Sequence, residues 1–143
     1  MRFMIMVRTV PEFEAEPTLV PDEAMFAAIA AYHDELARAG VLLDASGLQP
    51  SRKGWRIHYG AEGRRVVDGP FAETKELIAG YTLIQVRSRE EALEWSRRFP
   101  NPVGEGRQAV VEVRQLFDLE DFGDSPGVER FLELNLPSQG GSR

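Results

Sequence analysis

Three ionisable residues are the candidate catalytic groups of this chain: Asp68, Arg114 and His33. The carboxylate of Asp68 could act as a base or anchor a ligand. Arg114 could stabilise an anion through charge-assisted hydrogen bonds. His33 could carry a proton, because imidazole titrates near neutral pH. Together these residue types predict acid–base chemistry on a small polar or anionic molecule.

Three further residues are candidate ligand contacts: Phe71, Lys75 and Tyr81. Phe71 and Lys75 belong with Asp68 to one stretch, Asp-Gly-Pro-Phe-Ala-Glu-Thr-Lys-Glu, in which Gly-Pro forces a turn. The loop could wall a pocket, with Lys75 contacting an anion. Tyr81 and Thr82 point to opposite faces of their strand, and either could supply a hydroxyl or pack in the core. Alternatively, the loop is a folding device, with Phe71 in the core and Asp68 accepting the backbone N–H of Phe71 or Ala72.

His33 and Arg114 also have structural interpretations. His33 lies about 80° from the centre of the apolar stripe of its helix, where a side chain reaches either a cleft or solvent. Arg114 shares a strand face with Glu112. If a second copy covers that face, Arg114 is a buried charge that needs an anionic partner. If not, it pairs with Glu112 or Glu73 at the surface.

Composition excludes several classes of protein. The chain has 143 residues, a length that fits one domain. Its net charge of −6 disfavours general binding to nucleic acid, whose phosphates are negative. It has no cysteine and two histidines, so thiolate chemistry and a His-rich metal site are excluded. No phosphate loop or dinucleotide fingerprint is visible, so we predict no cofactor and no metal. The apolar run 3–7 is too short for a signal peptide or membrane span, which predicts a cytoplasmic protein.

The periodicity of apolar residues predicts the elements that position these side chains. An apolar strand and a loop at 9–21 precede the first predicted helix. The apolar face of this helix contains Met25, Ile29, Tyr32 and Leu36. Pro21 suits its first turn, and Gly40 ends it. A second helix begins with a capping box at 88–91 and buries Ala92, Trp95 and Phe99. The predicted strands cover residues 3–7, 41–48, 55–59, 64–67, 81–86 and 109–116.

The order of these elements predicts an α+β fold of the ferredoxin-like βαββαβ type with an inserted β-hairpin at 55–67. Two helices cover only one face of such a sheet, and several strands are apolar on both faces. A second copy is the simplest cover, so the sequence predicts a homodimer. The main domain is expected at residues 1–117. An acidic C-terminal extension follows at 118–143, with a short helix from Ser125 to Leu134 and a disordered end at 137–143.

The stretch at 68–76 and the Leu-Ile-Ala-Gly-Tyr that follows it resemble the signature of the DGPF branch of the YCII-related proteins. The resemblance extends over most of the chain, through residues 2–7, 39–42, 47–50, 92–95 and 111–114. It implies a dimeric α/β-barrel fold. Some members of the family are encoded near or fused to extracytoplasmic-function sigma factors. The wider group has a proposed His–Asp pair, but His33 lies nearer to Gly40 than that pattern requires, so the resemblance does not extend to this pair.

Two hypotheses of function follow. In the first, the protein is an enzyme, with Asp68 as the carboxylate, Arg114 and Lys75 as charge stabilisers and Tyr81 or His33 as proton carriers. In the second, it is a ligand-binding or regulatory module without turnover, acting with a partner such as a sigma factor. The residues favour neither hypothesis over the other.

Overall fold

The computed structural model describes residues 1–17 and 22–134. Six strands are present: β1 (Arg2–Arg8), β2 (Leu42–Gly47), β3 (Trp55–Gly60), β4 (Gly63–Asp68), β5 (Ile78–Gln85) and β6 (Val111–Gln115). The α-helices of the described residues are α1 (Pro11–Glu14), α2 (Glu23–Arg38), α3 (Arg89–Arg97) and α4 (Pro126–Glu133). Short 3₁₀ turns cover Ser51–Lys53, Thr74–Glu76 and Leu119–Phe122.

The main sheet has four antiparallel strands in the order β2-β5-β1-β6. With the inserted strands left out, this is the order produced by a split βαββαβ unit. Strands β3 and β4 form the inserted hairpin as a separate two-stranded sheet. The predicted α+β, ferredoxin-like arrangement therefore agrees with the structure.

The two long helices begin and end where local chemistry dictates. The side chain of Asp22, the residue before α2, accepts the N–H of Met25 and caps the helix. Gly40 follows α2 with φ +74°, a conformation that favours glycine. Ser88 caps α3 by accepting the N–H of Glu91. Pro21, predicted for the first turn of α2, lies outside the described residues.

The core lies between the helices and one face of the sheet. Phe3 and Ile5 of β1 pack there with Ile84 of β5, and α2 contributes Tyr32 and Leu36. Trp95 and Phe99 pack against this cluster, as predicted.

On the opposite face of the sheet, successive residues of the same strands point away from the helices. Met4, Met6 and Leu83 lie there, and each is only partly buried. This surface, together with Arg114 opposite Met4, is called the open sheet face below.

Two sequence expectations need correction. The segment predicted as a loop at 9–21 contains α1, and β5 begins at Ile78 instead of residue 81. Helix α1 is tied to the turn before β3, where the guanidinium of Arg52 donates to the carbonyl oxygens of Glu14 and Ala15 at 3.0 and 3.1 Å.

The C-terminal extension is anchored to the domain at its start. The guanidinium of the buried Arg2 donates to the carbonyl of Phe117 at 2.7 Å and lies 3.4 Å from Asp118. The helix predicted after Ser125 is present as α4, whereas the predicted disorder at 137–143 falls outside the described residues. Across the described part of the chain, no helix is long and apolar enough to cross a membrane.

Candidate functional site

A cleft of about 620 Å³ lies between α2 and the adjoining strands β2 and β5. Ligand-binding clefts in proteins are typically of this size and combine apolar walls with a few polar groups. The short helix α1 contributes Phe13, which sequence analysis did not predict because four residues carry too little periodicity. The apolar walls include Phe13, Phe26, Ile29, Leu48, Phe99 and Pro102.

His33 is the imidazole of this cleft, and two hydrogen bonds fix its ring. Nδ1 lies 2.8 Å from the carbonyl oxygen of Ile29, and Nε2 lies 2.8 Å from Oγ1 of Thr82. A carbonyl oxygen only accepts, so Nδ1 carries hydrogen and Nε2 of the neutral ring accepts the Thr82 hydroxyl. The rings of Tyr32 and Phe99 contact His33 edge to face, at centroid distances of 5.5 and 6.1 Å.

The hydroxyl of Thr82 can either donate to Nε2 of His33 or accept from it. When the ring takes up a proton, Nε2–H can donate to Oγ1 of Thr82, whose own hydrogen then turns to another acceptor. Thr82 is 2% exposed and stays in place in either state, whereas His33 is only partly buried. Both ring nitrogens are already hydrogen-bonded, so a molecule in the cleft must displace the Thr82 hydroxyl before it can exchange a proton with Nε2.

Tyr81 also lines the cleft, but its hydroxyl points to a different partner. It donates to Oδ2 of Asp44 at 2.9 Å, and this hydrogen bond raises the pKa of Tyr81 above its ordinary value. Alternation along β5 places the side chains of Tyr81 and Thr82 on opposite faces of the sheet. The side chain of Thr82 therefore faces His33, and that of Tyr81 does not.

The remaining predicted residues do not line this cleft. Asp68 is exposed at the end of β4, Lys75 is exposed in the turn before β5, and Arg114 is exposed on the open sheet face. Glu112 forms its ion pair with Arg8, at 2.8 Å, so it does not neutralise Arg114. Functional roles for Asp68, Lys75 and Arg114 stay predictions that require a surface other than the cleft.

The loop that contains Phe71 packs against the hairpin and the Ser51 turn, and not in the main core. The guanidinium of Arg56 stacks over the Phe71 ring, 3.8 Å from its centroid. The N–H of Phe71, which the structural interpretation offered to Asp68 as an alternative to that of Ala72, donates to Oγ of Ser51 at 3.1 Å. Ser51 is held in turn by the carboxylate of Glu14, through its hydroxyl and its N–H.

No group of three or more metal-binding side chains is found within residues 1–17 and 22–134. The cleft offers one imidazole and hydroxyl groups, which is too small a ligand set for a stable metal site.

Comparison with known proteins places the chain in a family. The family model described as the YCII-related domain matches residues 1–119. The chain belongs to the YCII-related family. An uncharacterized protein of Rhizobium meliloti (strain 1021) is 35% identical to this YCII-related chain over 80 residues. That alignment covers 56% of the chain and 64% of the relative, so the chain spans somewhat less than two thirds of the relative's length.

Among solved structures, the YCII-related chain is similar to 5-chloro-2-hydroxyhydroquinone dehydrochlorinase from Burkholderia phenoliruptrix AC1100, in complex with 2,5-dihydroxybenzoquinone. The match covers 82% of this chain and 95% of that one, with 14% sequence identity and a TM-score of 0.44.

Proposed function

We propose that this YCII-related protein binds a small molecule in the cleft, with an apolar body against the phenylalanines and a polar or anionic group at His33. The observation that supports this most is the His33–Thr82 pair, an oriented imidazole within otherwise apolar walls. An anionic group beside the ring would favour the charged imidazolium. The proposed chemistry is proton transfer between His33 and that group.

A second candidate function is binding without turnover. The hydroxyl of Thr82 already occupies Nε2 of His33, so a ligand must compete with it before the ring can act as a base. A ligand-sensing module, acting with a sigma factor as the family resemblance suggests, needs only the binding step. Conversion of a bound ligand by the wild-type protein, lost in His33→Asn, would favour the enzyme.

The finer assignments also belong to this proposal. The motif at 68–76 supports the DGPF branch of the family. The partly exposed apolar residues of the open sheet face support a homodimer of the α/β-barrel type, in which a second copy covers that face. The lack of cysteine suits a reducing compartment such as the cytoplasm.

The test follows both histidines of the chain: His33 reports on the cleft, and His58 is the internal control. Protein labelled with ¹⁵N-histidine is titrated with benzoate, 4-hydroxybenzoate and benzylamine while both imidazole signals are followed by NMR. We expect at least one of these compounds to shift the His33 signals and to leave those of His58, on the exposed hairpin, unchanged. We also expect the free protein to show the neutral His33 ring protonated at Nδ1.

A cleft-filling variant makes the test specific. Ala45 lies on the exposed edge strand β2 and lines the cleft, so Ala45→Phe should block binding without disturbing the core. Leu93→Phe, on the outer side of α3, is the matched control and should bind as the wild type does. Equal shifts at His33 and His58, or binding that survives Ala45→Phe, would argue against this site.

A further inference from the structure

The short helix α1 places the ring of Phe13 in the wall of the cleft. The helix has four residues, and none of them is buried. A helix this short is not stable by itself, and without a buried residue it is not fixed by core packing either. The position of this aromatic wall must therefore depend on bonds between α1 and neighbouring segments.

The carboxylate of Glu14 bonds the end of α1 to the turn that begins at Ser51. One of its oxygens accepts the N–H of Ser51 at 2.9 Å, and the other accepts the Ser51 hydroxyl. Both residues are partly buried, and hydrogen bonds to an ionised acceptor are roughly twice as strong as neutral ones. Neither Glu14 nor Ser51 lines the cleft, so they can affect a ligand only through a residue that does, such as Phe13.

The motif at 68–76 bonds Ser51 from the other side. The hydroxyl that donates to Glu14 also accepts the N–H of Phe71, at 3.1 Å. Gly69 has no Cβ, which lets the backbone of the motif lie against the carbonyl oxygen of Ser51. The hydroxyl of Ser51 therefore links the motif to α1 through two hydrogen bonds.

The end of the motif also holds the chain just before α1. The guanidinium of Arg8 donates to the carbonyl oxygen of Lys75. The N–H of Thr9, a buried residue, donates to the carbonyl oxygen of Leu77 at 2.9 Å. The loop thus fixes both ends of α1, although none of residues 68–76 lines the cleft.

We propose that the motif at 68–76 positions Phe13 in the cleft wall, with Ser51 and Glu14 as the positioning residues between them. A wall that is fixed before binding loses no conformational freedom when the ligand arrives, so the affinity for an apolar body is higher. The motif thereby acts on a ligand that it does not touch. This inference rests on the ligand binding proposed above and is independent of the proposed dimer.

The first measurement needs no ligand. ¹⁵N relaxation gives the order parameter of the Phe13 amide, and the amide of the fully buried Ile5 is the reference for the core. We expect about 0.85 for both amides in the wild type, and a fall towards about 0.6 for Phe13 alone in Glu14→Ala. Glu12→Ala is the matched control on the same helix, because the half-exposed ion pair of Glu12 with Arg107 contributes little.

Two further variants test the connecting bonds. Glu14→Gln keeps one oxygen that accepts from Ser51, so it should lower the Phe13 order parameter less than Glu14→Ala does. Gly69→Ala changes the motif alone, and its Cβ would overlap the carbonyl oxygen of Ser51, so it should also loosen Phe13. Gly60→Ala, whose Cβ meets nothing within 4 Å, is its control. An unchanged Phe13 order parameter in Gly69→Ala would overturn the proposal.

A double-mutant cycle tests whether Glu14 acts through Phe13. The dissociation constants of benzoate, 4-hydroxybenzoate and benzylamine are measured from the His33 signals. Phe13→Ala should raise the constant of a compound that binds by about tenfold, through loss of an aromatic contact, and Glu14→Ala by no more than that. The double variant should bind as Phe13→Ala does, because Glu14 then has no ring to position. Additive losses would overturn the proposal.

The two measurements separate this inference from the function on which it rests. If none of the three compounds binds, the binding proposal fails and the effect on affinity with it, whereas the order parameters still show whether the motif fixes Phe13. If a compound binds equally well to wild type and Glu14→Ala, the binding proposal stands and the positioning role is refuted.

Discussion

Tyr32 connects the core to the wall of the cleft. Its hydroxyl donates to the carbonyl of Trp95 at 2.7 Å, and its ring contacts Phe99 and His33 edge to face. Burial raises the pKa of Tyr32 to about 12, because the phenolate is poorly solvated there. Helix α3 therefore holds, through Trp95, the tyrosine ring that contacts His33.

The first prediction concerns alkaline pH. Because the pKa of Tyr32 is higher in the folded state than the ordinary value of 10.0, its contribution to stability is complete below pH 10. That contribution should be lost as the pH rises from about 10 towards 12. Urea unfolding of wild type and Tyr32→Phe across this range should show a smaller decline of the free energy of unfolding in the variant. Parallel declines in the two proteins would contradict the assignment.

At the residue scale, the sequence predicted that the side chain of His33 reaches either a cleft or solvent. Its contacts in the structure show that it lines the cleft. The deciding partner, Thr82, is 49 positions away, and no local pattern joins the two residues. One interpretation of the motif had Asp68 accepting the N–H of Phe71 or Ala72, whereas the N–H of Phe71 donates to Ser51 in a turn distant in sequence. The sequence therefore identified polar groups that need a hydrogen-bond partner, but it did not identify the residues that provide those hydrogen bonds.

At the element scale, the inserted hairpin is held by a close backbone contact at Gly69. The N–H of Gly69 donates to the carbonyl of Gly54 at 3.0 Å. A Cβ atom at Gly69 would overlap the carbonyl oxygen of Ser51, so no larger residue fits without a shift of the backbone. The glycine of the motif is thus explained by packing between two loops.

The second prediction tests this contact. Gly69→Ala should destabilise the protein by about 1–3 kcal/mol, the usual cost of forcing an atom into a packed site. Gly60→Ala is the control, because a Cβ there meets nothing within 4 Å. The control should leave stability unchanged or raise it by about 0.5 kcal/mol through the unfolded state. Urea midpoints measure both, and equal midpoints would refute the packing explanation.

The elements that sequence analysis located correctly are those with long apolar periodicity and terminal caps. Helix α2 has both, and so does α3. Helix α1 was missed because its four residues are held by nonlocal bonds, in which Glu14 binds Ser51. The start of β5 was placed late because its second and third residues, Ala79 and Gly80, have low β-propensity.

At the scale of the whole molecule, the open sheet face is the surface through which we propose that two copies associate. Its apolar residues Met4, Met6 and Leu83 lie on adjacent strands, with Arg114 beside them. Covering such a face with a second copy removes apolar area from water, at about 25 cal/mol per Å². A charge placed at its centre would instead lose hydration on association.

The third prediction follows from this cost. Leu83→Glu should convert the proposed dimer to a monomer, measured by sedimentation velocity at several concentrations. The domain should stay folded, because Leu83 points away from the core residues Thr82 and Ile84. Leu93→Glu, on the outer side of α3, is the control and should remain dimeric. A dimeric Leu83→Glu variant would place the interface elsewhere.

The sequence by itself determined the order of the six strands and the two long helices, the inserted hairpin, the ferredoxin-like class and the unusual motif, because alternation, helical periodicity and caps are local properties of the chain. The tertiary structure alone decided that a cleft exists, that Thr82 orients His33, and that Asp68 and Arg114 lie outside that cleft. These outcomes depend on which strands become neighbours in the sheet and which side of each strand faces α2. Such contacts join residues far apart in the sequence, and no spacing rule encodes them.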